Sequence, residues 1–206
     1  GGITRDVMLV SVEPTYIENY KLSLDKTLTG KKNQRQITFS AKLNKAEAGQ
    51  TVTLSIPELK VKQQLATTAD GTVQTALKVK NLQLWSPESP YLYRFKLETE
   101  NDVVESYFAL REVGVKEIDG IPRICLNGEP YFFHGLLDQG YWSDGLYTPA
   151  SPRCFTDDIL AMKALGFNML RKHIKVEPEE FYYQCDKLGM IVFQDMVNNS
   201  DYNFLR

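Results

Sequence analysis

The sequence predicts a mixed fold, an antiparallel β-sandwich of the immunoglobulin-like kind followed by a parallel β/α unit. Three observations carry that reading. Across residues 7–110, short runs alternate apolar with polar between turn residues, and no amphipathic helix interrupts them. Across residues 156–195 the order is helix, strand, helix, strand, each helix closed by a glycine (Gly166, Gly189) and followed at once by a short apolar run. With 43% hydrophobic and 11% aromatic residues, a 206-residue chain has enough apolar surface for a core in both halves.

In the first half, residues 37–43 (ITFSAKL) and 51–56 (TVTLSI) alternate as strands with one face on a core must. Turn signals separate them at Gly30-Lys31-Lys32, Ala48-Gly49 and Asp70-Gly71, the last predicting a type I′ hairpin before a strand over 73–79. Residues 84–93 (LWSPESPYLY) form a rigid corner, because Pro87 and Pro90 each fix φ. Tyr91, Tyr93 and Phe95 then alternate along an edge or penultimate strand. Trp85 is expected to plug that corner as core, since large aromatics in sandwiches are mostly buried.

Past Arg111 the pattern changes. Residues 124–133 (ICLNGEPYFF) predict a hairpin with Asn127-Gly128 at its tip, continuing from Pro130 as a nearly unbroken apolar strand to Leu137. The loop 138–153 holds Tyr141, Trp142 and Tyr147, and loops of that length in a domain are usually functional or disordered. The first helix is expected to start with Thr156 as N-cap and Asp157 and Asp158 in its first turn, burying Ile159, Met162 and Leu165. In the second, Pro178 opens the first turn, and Phe181, Cys185 and Leu188 are spaced for burial. Buried parallel strands are predicted over 167–170 and 190–193.

A net charge of −2 and a pI of about 5.8 argue against nucleic acid or an anionic membrane as partner. No apolar run approaches the roughly 20 residues a membrane-spanning helix needs. The start, GGITRDVMLV, lacks a signal-peptide layout and reads as a cut within a longer protein; cytoplasmic and secreted locations both remain open. Cys125, Cys154 and Cys185 are odd in number and widely spaced, so free, at least partly buried thiols are expected. His134 and His173 are the only histidines and neither has zinc spacing. No cofactor is identified, and a divalent metal in a longer parent is left open.

Several of these pieces recur together in a known family. Trp85-Ser86-Pro87 with Pro90-Tyr91-Leu92-Tyr93, Gly114-Val115-Lys116, Leu126-Asn127-Gly128 with Gly135, Asp157-Asp158-Ile159, Gly166-Phe167-Asn168 with Arg171, Cys185-Asp186 with Leu188-Gly189, and Gln194-Asp195 resemble, in order, family 2 glycoside hydrolases. The family includes β-galactosidases, β-glucuronidases and β-mannosidases. The resemblance implies that residues 1–111 are its immunoglobulin-like domain, with 1–6 the tail of a preceding sugar-binding domain. Residues 112–206 would be the N-terminal third of its catalytic TIM barrel, a (β/α)8 fold. It implies a retaining mechanism with two glutamates about 5 Å apart, the acid/base lying in an Asn-Glu pair. No Asn-Glu dipeptide occurs in these 206 residues, so both catalytic glutamates are expected beyond Arg206 and the chain alone should be inactive.

In such a barrel the active face is built from the segments after the strands. The candidates are Asp138 and Gln139, with Tyr141 and Trp142 further out, after the first strand; Arg171, Lys172 and His173 after the second; and Gln194, Asp195 and Asn198 after the third. The resemblance implies that Arg171 orients the nucleophilic glutamate, with an ion pair to Asp195 as the alternative role. It also implies that His173 touches the sugar, or a group beside it, and that Asp195 accepts from a sugar hydroxyl or caps a helix. Trp142 stacks on sugar or pins its loop. Glu177, Glu179 and Glu180 are read as first-turn acids of the second helix, with no catalytic part. Carbohydrate is the expected partner of the parent. Self-association of the open barrel edge, or disorder over residues 198–206, is also expected.

Overall fold

Residues 5–25 and 34–196 are described in the computed structural model, and they fall into two units: residues 8–85 with 91–129, and residues 5–7, 86–90 and 130–196. The turn signal at Gly30-Lys31-Lys32 lies outside the described residues. So do Asn198 and the rest of the segment to Arg206, which carries the expectation of disorder and beyond which both catalytic glutamates are expected.

In the first unit, alternation becomes a sandwich. Strands β1 (Ile17–Leu24), β2 (Gln34–Leu43) and β5 (Thr72–Lys80) form one antiparallel sheet in the order β1-β2-β5. Strands β3 (Thr51–Ile56), β4 (Val61–Ala66), β6 (Tyr93–Glu98) and β7 (Val103–Phe108) form the other, ordered β4-β3-β6-β7. Ile37, Phe39, Ala41 and Leu43 from β2 meet Val52, Leu54 and Ile56 from β3 and Tyr93, Phe95 and Leu97 from β6 in one core. Each Val, Leu, Ile or Phe among them, fully buried, contributes about 1.5–3 kcal/mol. Trp85 is buried, its N–H donating to Leu110 O (2.8 Å) and its ring lying 4.9 Å from the Arg111 guanidinium.

Asp70-Gly71 does not make the expected hairpin. Strands β4 and β5 lie in different sheets, so the segment is a crossover. A type I′ turn needs positive φ at both central residues, and of the two only Gly71 has it (78°). Asp70 instead accepts from Thr68 Oγ1 (2.5 Å) and Thr72 Oγ1 (3.0 Å), and a Cβ on Gly71 would stand 2.7 Å from Leu43 O. The unit closes with the antiparallel pair β8 (Val113–Ile118) and β9 (Ile121–Leu126), and β10 (Glu129–Pro130), in the order β10-β9-β8, spans the boundary between the units. Asn127-Gly128 turns as predicted, with φ of 54° and 88°, and Asn127 Nδ2 donates to Trp85 O (2.9 Å).

The second unit has three parallel strands, β11 (Gly135–Asp138), β12 (Met169–Lys172) and β13 (Ile191–Gln194), in that order. Helices α1 (Arg153–Ala164) and α2 (Glu179–Leu188) connect them, and Phe155, Ile159, Leu170, Phe181, Cys185 and Met190 form the core. Four expectations are corrected here. Helix α1 starts three residues before Thr156, because Pro152 takes the N-cap position with φ −56°, leaving Thr156 inside the helix. Leu165 ends the helix as C-cap and is exposed rather than buried. The apolar run from Pro130 is not one strand, since residues 131–134 leave the ladder and are tied to Asn168, which donates to Phe132 O and accepts from His134 N–H, both at 2.9 Å. Strands β12 and β13 sit one or two residues later than their apolar runs, taking in the polar Arg171, Lys172 and Gln194.

Candidate functional site

Parallel pairing brings the strand ends level. Asp138 pairs in register with Lys172, and Lys172 with Gln194, so the three residues close one edge of the sheet. Strand period then separates their side chains from their neighbours'. Leu170 is in the helix-facing core, so Lys172, two residues on, points the same way and is buried. Arg171 points to the opposite face, beside its register partners Leu137 and Phe193, and all three are exposed.

On that open face Arg171 grips Asp195, with Nε 3.2 and 3.1 Å from Oδ1 and Oδ2 and Nη2 2.9 Å from Oδ2. Exposed as it is, the pair adds no more than about 1 kcal/mol of stability. Its effect is geometric, because the planar fork holds the carboxylate in one orientation. Gln139 Nε2 lies 3.2 Å from His173 Nδ1, within hydrogen-bond reach. His173 N–H donates to Asp138 O (2.9 Å), extending the parallel ladder one residue past the strand.

Behind the edge is a charge cluster that sequence reasoning missed. Lys172 Nζ lies 2.7 Å from Asp138 Oδ2 and 2.8 Å from Glu177 Oε1, and Lys175 Nζ lies 3.0 Å from the same Glu177 oxygen. Lys172, Lys175 and Glu177 are all buried. The Lys172 ammonium also sits 4.5 Å from the centre of the Phe181 ring. Glu177 precedes α2 and is no first-turn acid; burying its carboxylate requires the two ammoniums. Glu179 and Glu180 do occupy the first turn. The available signal was period 2 in β12: once Leu170 is assigned to the core, Lys172 must share its face and needs an anion.

The remaining candidates are fixed within the unit. Both Asp138 oxygens are engaged, Oδ1 accepting from Gly140 N–H (2.7 Å). Gln194 accepts from Tyr182 OH (2.5 Å) and donates to Lys175 O (3.1 Å) and Asp195 O (2.7 Å). Trp142 is half-buried and packs against the core, its ring edge-on to Phe155 at 5.8 Å. A cavity of about 40 Å³ remains among Asp138, Trp142, Asp158, Lys172 and Phe181. Asp158 is exposed as a residue, yet partial desolvation of its carboxyl, then the neighbouring Asp138, raises it from the ordinary aspartate value, with Lys172 opposing. Burial likewise pushes up the Cys185 thiol, and all three cysteines are free. Among the described residues no three His, Cys, Asp or Glu side chains gather as a metal site.

Residues 15–111 match the sequence profile of glycosyl hydrolases family 2. Over 95% of its length the chain is 26% identical to a β-galactosidase of Thermoanaerobacter pseudethanolicus, and over 94% it is 25% identical to the β-glucuronidase of Homo sapiens. The fold is similar to the apo structure of Bacteroides uniformis β-glucuronidase 3, with a TM-score of 0.76 and 21% identity over 95% of this chain. The chain spans 27% of the first of these proteins, 30% of the second and 25% of the third.

Proposed function

We propose that this chain, whose residues 15–111 belong to glycosyl hydrolases family 2, is part of a retaining, exo-acting β-glycosidase, and that its second unit is the opening third of the catalytic (β/α)8 barrel. The observation that carries the reading is the level edge formed by Asp138, Lys172 and Gln194, where βα segments meet at the carboxyl ends of parallel strands. In this reading the exposed face of Arg171 and Asp195 is the barrel interior. Arg171 holds Asp195 and directs its remaining donor capacity toward a carboxylate of the transition state machinery, and Asp195 and His173 accept or donate to sugar hydroxyls. Asp138 and Gln139 anchor the first segment, and Trp142 holds the loop by packing against the core.

The preferred activity is hydrolysis of terminal β-galactosides. β-Glucuronidase is the second reading, favoured by the human relative, and β-mannosidase the third. With no Asn-Glu pair in the 206 residues, the acid/base and nucleophile are assigned to sequence beyond Arg206, and the chain alone is expected to be inactive. The exposed Leu137 and Phe193 on the open face favour self-association of the chain in isolation. The test is hydrolysis of a panel of aryl β-galactosides, β-glucuronides and β-mannosides by the longer protein containing these residues, repeated with the glutamate of its Asn-Glu pair changed to Gln. Hydrolysis of one class that the substitution abolishes supports the reading; turnover by the 206-residue chain alone overturns the inactive-fragment part of it.

A further inference from the structure

Strands β4 and β5 are the end strands of their two sheets, and the chain leaves extended backbone where β4 begins and where β5 ends. Lys60, just before β4, has φ 54°, and Asn81, just after β5, has φ 53°. Asparagine visits this left-handed region readily, whereas a lysine there is strained. Both line a hollow of about 520 Å³, a size typical of small-molecule sites. Strand period sets its charge: Leu77 and Val79 belong to the sandwich core, so Lys78 and Lys80 fall on the outer side of β5 and are exposed. With Lys60 they give the lining three ammoniums, none of them in an ion pair among the described residues. The opposing carboxylate, Glu58, already accepts from Arg94 N–H (3.1 Å). A half-buried ring, Tyr91, completes the wall. It stands edge-on to Tyr93 at 4.8 Å, and Tyr93 OH is fixed on Gln83, accepting from its N–H (2.8 Å) and donating to its O (3.3 Å).

We infer that this hollow binds an acidic oligosaccharide, with sugar carboxylates or sulfates against Lys60, Lys78 and Lys80 and the C–H face of a sugar ring on Tyr91. Ammoniums, the side-chain amides of Asn81 and Gln83 and a fixed aromatic ring together match a ligand that carries negative charge, hydroxyls and an apolar ring face. An acidic peptide fits less well. A peptide that joins a sheet edge needs a straight run of extended backbone, and here both edges turn away, at Lys60 and at Asn81. The chain as a whole is nearly neutral, at −2, so the attraction is local to this wall.

The test is isothermal titration calorimetry of the 206-residue chain with trigalacturonate, a sulfated galactose tetrasaccharide, neutral maltotriose and inorganic phosphate. At least one of the two acidic sugars binds, which identifies the anion the lysines take, and added salt weakens it because the charges are exposed. Maltotriose and phosphate bind far more weakly. Lys60→Gly removes a charge at a φ that glycine adopts freely, so it weakens binding about fivefold without lowering the thermal midpoint. Lys78→Gln with Lys80→Gln weakens it about twentyfold. Glu58→Gln keeps an acceptor for Arg94 N–H, removes the opposing charge and tightens binding, a sign that a merely structural role would not give. Lys42→Gln, exposed on β2 and outside the lining, leaves it unchanged. Binding of phosphate or maltotriose as tight as that of the acidic sugars, tighter binding of hexaglutamate, or lysine variants that bind as the parent does would each overturn the proposal. Binding here uses none of the strand-end residues, so failure of the longer protein to hydrolyse any β-glycoside would count against the proposed function alone.

Discussion

Replacing Lys172 with Met removes the ammonium shared by Asp138 and Glu177 while keeping most of the side chain's volume against Phe181. Glu177 is left buried with Lys175 as its single cation, at 3.0 Å. Breaking a buried pair by removing one partner costs about 3–5 kcal/mol. The remaining lysine makes the lower end appropriate, about 3 kcal/mol. A double-mutant cycle isolates the pair: Lys172→Met with Glu177→Leu should cost at least about 1 kcal/mol less than the sum of the single changes, because the Glu177 carboxylate is then no longer buried without Lys172. Each unit has one tryptophan, Trp85 in the first and Trp142 in the second, so 5-fluorotryptophan labelling and 19F NMR in urea follow the two transitions separately. The Trp142 transition should move to lower urea while the Trp85 transition stays. Additivity within about 0.5 kcal/mol would refute the claim that these charges act as one cluster.

Other expectations follow from the same geometry. Gly140→Ala puts a Cβ 2.1 Å from Glu177 Oε1 and 2.8 Å from Lys172 Nζ at a φ of 65°, whereas Gly120→Ala at 75° meets nothing within 4 Å. Thermal unfolding should show the first far more destabilising than the second, whose cost is the left-handed backbone alone, about 1–2 kcal/mol. Asn168→Ala removes both ties to residues 132–134, and urea denaturation should register about 1–2 kcal/mol. For Asp158, a raised folded-state pKa means that its ionised form is disfavoured on folding. Its contribution is present below the unfolded pKa and lost as pH rises through the folded one, so Asp158→Asn should raise the melting temperature at pH 7 and give no gain at pH 3. A gain that persists unchanged at acid pH would contradict the desolvation cause.

Where side chains report a single environment, the fold was legible in the sequence. Strict alternation gave β2 and β3, and Pro178 with Gly189 bounded α2. Local signals failed where tertiary context decided. Asp70-Gly71 has hairpin chemistry, but the strand it enters belongs to the other sheet, and no local residue encodes that choice. Asp157 and Asp158 looked like first-turn acids, while Pro152 upstream had already started the helix; Asp157 instead pairs with Arg153 at 3.4 Å. Of the site, the pairing of Arg171 with Asp195 was among the roles read from the sequence, because both residues close apolar strands. The Lys172, Glu177 and Lys175 cluster was not, since charged residues near a helix start look solvated until strand period is followed through Leu170. Trp142 was read either way, and its half-buried indole packs against the core.

The central claim, that the edge of Asp138, Arg171, His173 and Asp195 belongs to a retaining β-glycosidase, is tested most directly by one time course. The longer protein carrying these residues is given an aryl β-D-galactopyranoside, and the anomeric proton of the released sugar is followed by 1H NMR, alongside Arg171→Ala. The account predicts that the β-anomer appears first and that Arg171→Ala lowers kcat by at least about a hundredfold, the cost of misplacing a catalytic group. Release of the α-anomer first, or an Arg171→Ala enzyme as fast as the parent, would contradict it.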